Sequence, residues 1–125
     1  MTRRAPEQGF TMIEVMVALL LTAIALIGLL ALYAAETRAS AFTRRTTEAS
    51  VLAEDKMEKL RTSASPVAGT ETGLGDQGIA VAGGLYNRTW TAALVGAYYD
   101  LSVTVGWTDD EGNARAVVLR SRRNL

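Results

Sequence analysis

The chain of 125 residues contains neither cysteine nor histidine, which removes most catalytic and metal-binding chemistry. It can form no disulfide, no thiolate nucleophile, no zinc site of the usual ligands and no histidine base. We therefore expect no enzymatic activity, no cofactor and no bound metal. The 13 basic and 13 acidic residues balance, so net charge does not indicate nucleic acid or an acidic partner.

Charged residues are also missing from Val15–Ala35, a run of 21 residues. As a helix this run would be about 32 Å long, which is close to the roughly 30 Å hydrocarbon core of a bilayer. Arg3 and Arg4 precede it, and basic residues on that side indicate a cytoplasmic N-terminus. A secretory signal peptide and an unprocessed anchor are the alternatives. The run exceeds an ordinary signal-peptide core and follows a carboxylate, Glu14, so we predict one membrane-spanning helix.

The residues in front of the run, Gly9-Phe10-Thr11-Met12-Ile13-Glu14, resemble the leader junction of type IV pilins and pseudopilins. The resemblance implies a leader peptide over residues 1–9, cleavage between Gly9 and Phe10 by a prepilin peptidase, and methylation of the new Phe10 amine. It also implies that Phe10 and Glu14 act in assembly, the carboxylate pairing with the N-terminal amine of a neighbouring subunit. Alternatively, Glu14 snorkels to the membrane interface or pairs with its own Phe10 amine.

A second helical pattern follows the apolar run over residues 36–62, without glycine or proline, and Ser63-Ala64-Ser65-Pro66 should end it. Apolar and small residues recur at steps of three and four, so one face of this helix needs a cover. The residues on this face that we assign to helix–sheet packing are Phe42, Ala49, Met57 and Leu60.

The predicted cover is an antiparallel sheet over residues 85–121. Its surest strand alternates between apolar and polar side chains and puts four residues on one face: Leu101, Val103, Val105 and Trp107. Strands at 85–95 and 114–121 would complete a three-stranded meander. Residues 63–84, rich in glycine and small polar residues, are predicted to be a connecting loop.

The expected fold is therefore α+β and pilin-like, with one long N-terminal helix packed on a small three-stranded antiparallel sheet. Residues 10–35 would be the transmembrane and assembly half of this helix. Residues 36–125 would be a periplasmic head, because too few residues remain outside the helix to bury a core by themselves.

Two later features are similar to the PilV family of minor pilins and the related GspI pseudopilins: the stretch Leu52–Arg61, and a strand that ends in Trp107 before an acidic glycine turn. Many major pilins close a C-terminal loop with a disulfide, and the missing cysteines depart from that pattern. The resemblance implies a minor pilin in the tip or priming complex of a type IV pilus. A type II secretion pseudopilin is the alternative, and a membrane-anchored DNA- or surface-binding module is a second.

The same resemblance implies the location and the partners. The precursor would cross the bacterial inner membrane once and then enter a pilus or pseudopilus as part of a hetero-oligomer. Expected partners are other major and minor pilins, the pilus assembly platform and the prepilin peptidase, and nucleic acid is not expected.

Three other motifs have an ordinary structural explanation beside a functional one. Gly73–Gly78 has the spacing of a dinucleotide loop but lacks the flanking strand and helix, so a loop is predicted. Asp109–Asn113 offers carboxylates for calcium, yet a solvated hairpin turn fits better. Arg120, Arg122 and Arg123 would suit DNA phosphates, but charges that protect an edge strand are the simpler explanation.

Overall fold

The computed structural model describes residues 9–125 and contains one helix followed by four strands. The elements are α1 Met12–Thr62, β1 Gly69–Leu74, β2 Tyr86–Val95, β3 Tyr98–Thr108 and β4 Ala114–Asn124. The strands form one antiparallel sheet in the order β1-β2-β3-β4. The chain divides into two compact units, Met1–Ala39 and Ser40–Leu125.

Within Ser40–Leu125, part of α1 packs on one face of the sheet, so the predicted α+β, pilin-like fold is confirmed. In β3 the buried and less buried residues alternate along the strand. Its buried residues form a common core with one face of α1, and each fully buried valine or leucine contributes about 1.5–3 kcal/mol. The core consists of Ala49, Leu52, Ala53, Met57, Leu60, Leu74, Tyr86, Leu101, Val103, Val105 and Trp107.

The sheet has four strands, and the prediction of three was wrong. β1 lies inside residues 63–84, which we expected to be a loop, and it pairs with β2 from Gly69↔Trp90 to Leu74↔Tyr86. The sheet also continues to Asn124, beyond the predicted end at residue 121. The sequence of β1 does not alternate between apolar and polar residues. Glu71, which is paired with Arg88 of β2, is a charged residue at a position where alternation would require an apolar one.

Phe42 lies outside the core, although it shares the helical spacing of the predicted packing residues. Its side chain is 47% exposed, and the guanidinium carbon of Arg115 lies 5.6 Å from its ring centroid. Helical periodicity determines which face a residue lies on but not how far along the helix the sheet extends. The other seven residues that we assigned to helix–sheet packing are all in the core cluster.

A buried arginine, Arg88 of β2, connects the sheet to α1. The residue is 3% exposed, and its Nε donates to Glu71 Oε2 of β1 at 2.9 Å. Its Nη1 donates to the Leu52 carbonyl oxygen at 2.9 Å and to Asp55 Oδ2 at 3.3 Å. A buried guanidinium needs such partners, because an unpaired charge away from water is strongly destabilising.

The carboxylates around Arg88 have further cationic partners. Lys56 Nζ donates to Glu71 Oε1 at 3.0 Å and lies 3.4 Å from the centroid of a Trp90 ring. A hydrogen bond from Lys59, helped by Arg88, lowers the pKa of Asp55. Burial acts to raise the pKa of Glu71, but hydrogen bonds from Arg88 and Lys56 outweigh it, and the pKa is lowered. Both carboxylates are therefore held in the charged form.

Tyr86 is the aromatic centre of the core beside Trp107. The two rings meet edge to face, with centroids 6.2 Å apart and planes at 63°. The Tyr86 hydroxyl donates to Glu48 Oε2 of α1 at 2.6 Å. Burial raises the pKa of this phenol, and the hydrogen bond to Glu48 raises it further, so the hydroxyl remains a donor at neutral pH.

The C-terminal end of α1 is held by a residue of β4. Arg123 Nη1 donates to the carbonyl oxygen of Arg61 at 3.3 Å and also to that of Ser63. A cation here is favourable, because the last carbonyl groups of a helix lack partners and carry partial negative charge.

Candidate functional site: the N-terminal assembly segment

Thr11 caps the helix that carries the candidate assembly residue Glu14. The Glu14 N–H lies 3.3 Å from Thr11 Oγ1 and 3.1 Å from the Thr11 carbonyl oxygen, which also accepts from Val15 N–H at 3.3 Å. Thr11 and Glu14 have the three-residue spacing of a capping box. The cap therefore fixes Glu14 in the first turn of α1, where a carboxylate complements the helix dipole.

The Glu14 side chain is exposed, and its carboxylate has no hydrogen-bond or ion-pair partner within residues 9–125. Phe10, the other predicted assembly residue, lies four positions earlier, outside α1, and is 85% exposed. The described part of the chain thus leaves both groups open to contact with a second molecule.

Gly9 and Phe10, the residues of the predicted cleavage site, precede the first turn of the helix. A Cβ atom built on Gly9 would meet nothing within 4 Å, so the described residues do not crowd this bond. Both residues lie outside the helix and are exposed, so the bond between them is accessible. The rest of the predicted leader, including Arg3 and Arg4, lies outside the described residues.

The apolar part of α1 that follows Glu14 is uncovered. An 18-residue window of the helix has mean hydropathy 2.9, and none of it is buried within the chain. By length and composition the helix is able to cross a membrane. Large side chains are exposed all around it, from 48% at Val15 to 71% at Ile27. Such a surface requires lipid or the apolar surface of other subunits.

The Thr22 hydroxyl, inside the apolar run, is satisfied within the helix. Thr22 Oγ1 donates to the Ala18 carbonyl oxygen at 2.7 Å, so its hydroxyl needs no partner from water. Glu14, at the edge of the run, is a carboxylate with no such internal partner among residues 9–125.

The acidic turn between β3 and β4 uses its carboxylates internally. Asp109 Oδ1 accepts from the backbone N–H of Glu111 at 3.1 Å and of Asn113 at 2.7 Å. Its Oδ2 accepts from Arg115 Nε at 3.0 Å, while Asp110 pairs with Arg45 at 2.7 Å. Within residues 9–125 no group of three acidic side chains is placed to hold a metal ion. The hairpin interpretation accounts for this turn.

The glycine motif Gly73–Gly78 crosses the end of β1 and the turn after it. Gly73 has φ of 67°, and the Gly75 N–H donates to the Ile79 carbonyl oxygen at 2.9 Å. Leu74 then forms an antiparallel bridge with Ala80. A dinucleotide loop leads from a parallel strand into a helix, so this antiparallel turn has the wrong surroundings for it.

Thr11 and Arg88 have roles that the sequence analysis did not assign. The Thr-x-x-Glu spacing at positions 11–14 is the signal that would have found the cap. No comparable signal marks Arg88, because its burial depends on partners at positions 52, 55 and 71 that only the fold brings together.

Comparison with known proteins agrees with this placement of the site. Residues 4–30 match the family model described as the prokaryotic N-terminal methylation motif. No curated protein and no solved structure matches the chain. The matched range contains Gly9, Phe10 and Glu14, together with residues 15–30 of the uncovered apolar run. The motif implies processing by a prepilin peptidase and assembly with other pilins, so it supports a structural subunit of the type IV pilin or pseudopilin class.

Proposed function

We propose that the chain is a minor pilin of a type IV pilus. The precursor is held in the inner membrane by Val15–Ala35, with its N-terminus in the cytoplasm. It is cut between Gly9 and Phe10, methylated on the Phe10 amine and incorporated into the tip or priming complex. The observation that carries the proposal is the methylation-motif match at residues 4–30, at the start of a helix whose apolar surface is uncovered.

Glu14 has a physical reason to seek a partner in assembly. A carboxylate at the bilayer centre costs roughly 2.5–3.5 kcal/mol, and less near the interface. The Thr11 cap fixes its position, and no cation within residues 9–125 neutralises it. A neighbouring subunit's N-terminal amine has the opposite charge and lies at the same depth. Pairing would neutralise both groups and fix the axial offset between adjacent helices.

The apolar helix would serve both stages of this pathway. In the membrane its side chains contact lipid, and in a filament they contact the equivalent helices of neighbouring subunits. Only the contacting molecules change, so transfer out of the bilayer leaves little apolar area exposed to water.

A type II secretion pseudopilin is the alternative, because the methylation motif is common to both classes. The complete lack of cysteine favours a minor pilin or a pseudopilin over a major pilin. Deletion of the gene separates the two: loss of pili with normal secretion supports the proposal, and lost secretion with normal pili supports the alternative.

The assembly role of Glu14 is tested by Glu14→Ala with Glu36→Ala as its matched control, since Glu36 is an exposed carboxylate just after the apolar run. We expect Glu14→Ala to insert and lose its leader normally, while its co-purification with partner pilins from membranes falls by about tenfold or more. Glu36→Ala should behave like the wild type. Normal processing with undiminished partner binding in Glu14→Ala would refute the assembly role.

The cleavage site is tested separately by Gly9→Leu. The bulky side chain should block the peptidase, so mass spectrometry should find the full precursor in place of a chain that starts at Phe10. A wild-type protein isolated from membranes with Met1 still at its N-terminus would contradict the proposal.

A further inference from the structure

β4 is an edge strand whose outer side is open. Its residues Ala114–Asn124 pair with β3 along the whole length, and β4 ends the strand order. Edge strands leave backbone N–H and C=O groups available, and extended peptides bind proteins by adding a strand there. β1, at the other edge, has six residues and an irregular register between Glu71 and Leu74. β4 is therefore the longer and more regular edge.

A groove of about 420 Å³ runs beside this edge, between β4 and α1. One wall consists of Leu119–Ser121, and the other belongs to α1. Met57 is buried and Leu119 half-buried, and these two form the apolar part of a groove whose other lining residues are charged or polar. The residues of the α1 wall are Glu54, Met57, Glu58 and Arg61.

The arginines of β4 divide by face. Arg115 pairs with Asp109 and Arg123 binds carbonyl groups at the end of α1, so both are used within the chain. Arg122 stacks over Tyr98, with 5.1 Å between the guanidinium carbon and the ring centroid. Arg120 is exposed and has no hydrogen-bond or ion-pair partner within residues 9–125. Because side chains alternate along a strand, Arg120 and Arg122 leave β4 on the face opposite Leu119 and Ser121, and Arg120 also lines the groove at the strand edge.

We propose that β4 binds an extended, acidic segment of a partner protein, which adds to the sheet as a fifth strand. Apolar side chains of the segment enter the groove beside Met57 and Leu119. Its alternate side chains are carboxylates that lie beside Arg120 and Arg122 on the other face. This surface is separate from the N-terminal segment, so the inference stands whether or not the minor-pilin role holds.

A second copy of this chain does not fit the same edge. Two β4 strands side by side would bring arginines together, and like charges on neighbouring strands destabilise pairing. The other edge strand, β1, has one carboxylate, that of Glu71, and Arg88 and Lys56 already bind it. In the β3–β4 turn, Asp109 and Asp110 are paired with Arg115 and Arg45. The proposed segment therefore belongs to a different protein.

The test uses the full-length mature protein in detergent micelles and two capped octapeptides, one alternating valine with glutamate and one alternating valine with lysine. We expect the valine–glutamate peptide to bind and to slow backbone hydrogen exchange in residues 116–122. We expect Arg120→Glu to weaken binding by about tenfold, because an attraction becomes a repulsion. Arg38→Glu, the same charge change at an exposed position outside the groove, should have no effect.

Some results would overturn the proposal. These are no binding of the valine–glutamate peptide at millimolar concentration, equal or tighter binding of the lysine peptide, protection outside β4, and equal binding by wild type and Arg120→Glu. Any of them would mean that the arginines only protect the edge from pairing. The hydrogen-exchange measurement on the wild type decides the matter even if Arg120→Glu fails to fold.

Discussion

Two stretches of the same helix, Val15–Ala35 and Ala49–Leu60, are both rich in apolar residues but differ in how these are distributed. The first is apolar on all sides, and every residue in it is exposed. The second has all its apolar residues but Val51 on one face, where five side chains are buried against the sheet. A helix that is apolar on all sides must be surrounded by lipid or by several neighbouring helices, whereas a helix with a single apolar face can be covered by one sheet.

The two stretches differ equally in how they treat charge. The first has none, and Glu14 at its start has no partner within residues 9–125. In the second, Asp55 pairs with Lys59 and Arg88, and Lys56 pairs with Glu71. Asp55, Lys56 and Lys59 are thus paired within the chain, whereas Glu14 has no partner among residues 9–125. Three substitution experiments can break or sharpen this contrast.

The largest effect is expected from truncating a core leucine. Leu101 is 0% exposed, and Leu101→Ala should reduce the free energy of unfolding by about 3 kcal/mol, since the removed methyl groups leave a cavity. This loss is measured by urea unfolding in detergent, monitored by the fluorescence of Trp90 and Trp107. The control is Leu29→Ala in the uncovered stretch, which should leave the midpoint unchanged. A similar loss from Leu29→Ala would mean that the N-terminal stretch has a cover inside the protein.

A smaller loss is expected from Arg88→Met, which keeps the apolar stem and removes the guanidinium. Glu71 and Asp55 would lose a partner but are partly exposed and retain Lys56 and Lys59, so we expect about 2 kcal/mol, below the 3–5 kcal/mol typical of a fully buried pair. Lys59→Met breaks an exposed pair and should cost about 0.5 kcal/mol or less. The same urea titration compares the variants. If Arg88→Met and Lys59→Met reduced the free energy of unfolding equally, the buried ion pairs of Arg88 would be no more stabilising than the exposed pair of Lys59.

The smallest effect concerns pH. The pKa values of Glu71 and Asp55 are lowered from their ordinary 4.5 and 3.8, so the unfolded chain takes up protons first as the pH falls. Their contribution to stability is present above these values and is lost as the pH falls through the folded-state values. Glu71→Gln should therefore make unfolding free energy less steeply dependent on pH below about pH 5. Parallel curves for this variant and the wild type would exclude a contribution from Glu71.

Much of the fold could be predicted from periodicity. Helical spacing and the Ser63–Pro66 stop describe the outer part of α1, and alternation from Leu101 to Trp107 identifies the buried face of β3. β1 could not be found in this way, because its place in the sheet depends on contacts made by Glu71 with Arg88 and Lys56. Periodicity also does not show that the core begins at Ala49 and leaves out Phe42.

The candidate site is predictable to a different degree. Its position follows from local order along the chain, since Gly9, Phe10, Glu14 and the apolar run are consecutive. The Thr11 cap is likewise encoded in the local Thr-x-x-Glu spacing. The partner of Glu14 would belong to a second molecule, so it can be identified neither from this sequence nor from the structure of the single chain.

The hydrogen bond between Arg123 and Ser63 joins positions 60 residues apart, and this separation has a consequence during synthesis. The apolar stretch leaves the ribosome first and is able to enter the membrane as soon as it is complete. The outer part of α1 emerges next, but its apolar face has no cover until β3 arrives, and its C-terminal carbonyl groups wait for β4. The apolar stretch can therefore reach a membrane before Ser40–Leu125 folds, and for that interval a chaperone has a binding surface on the nascent chain that the finished protein no longer offers.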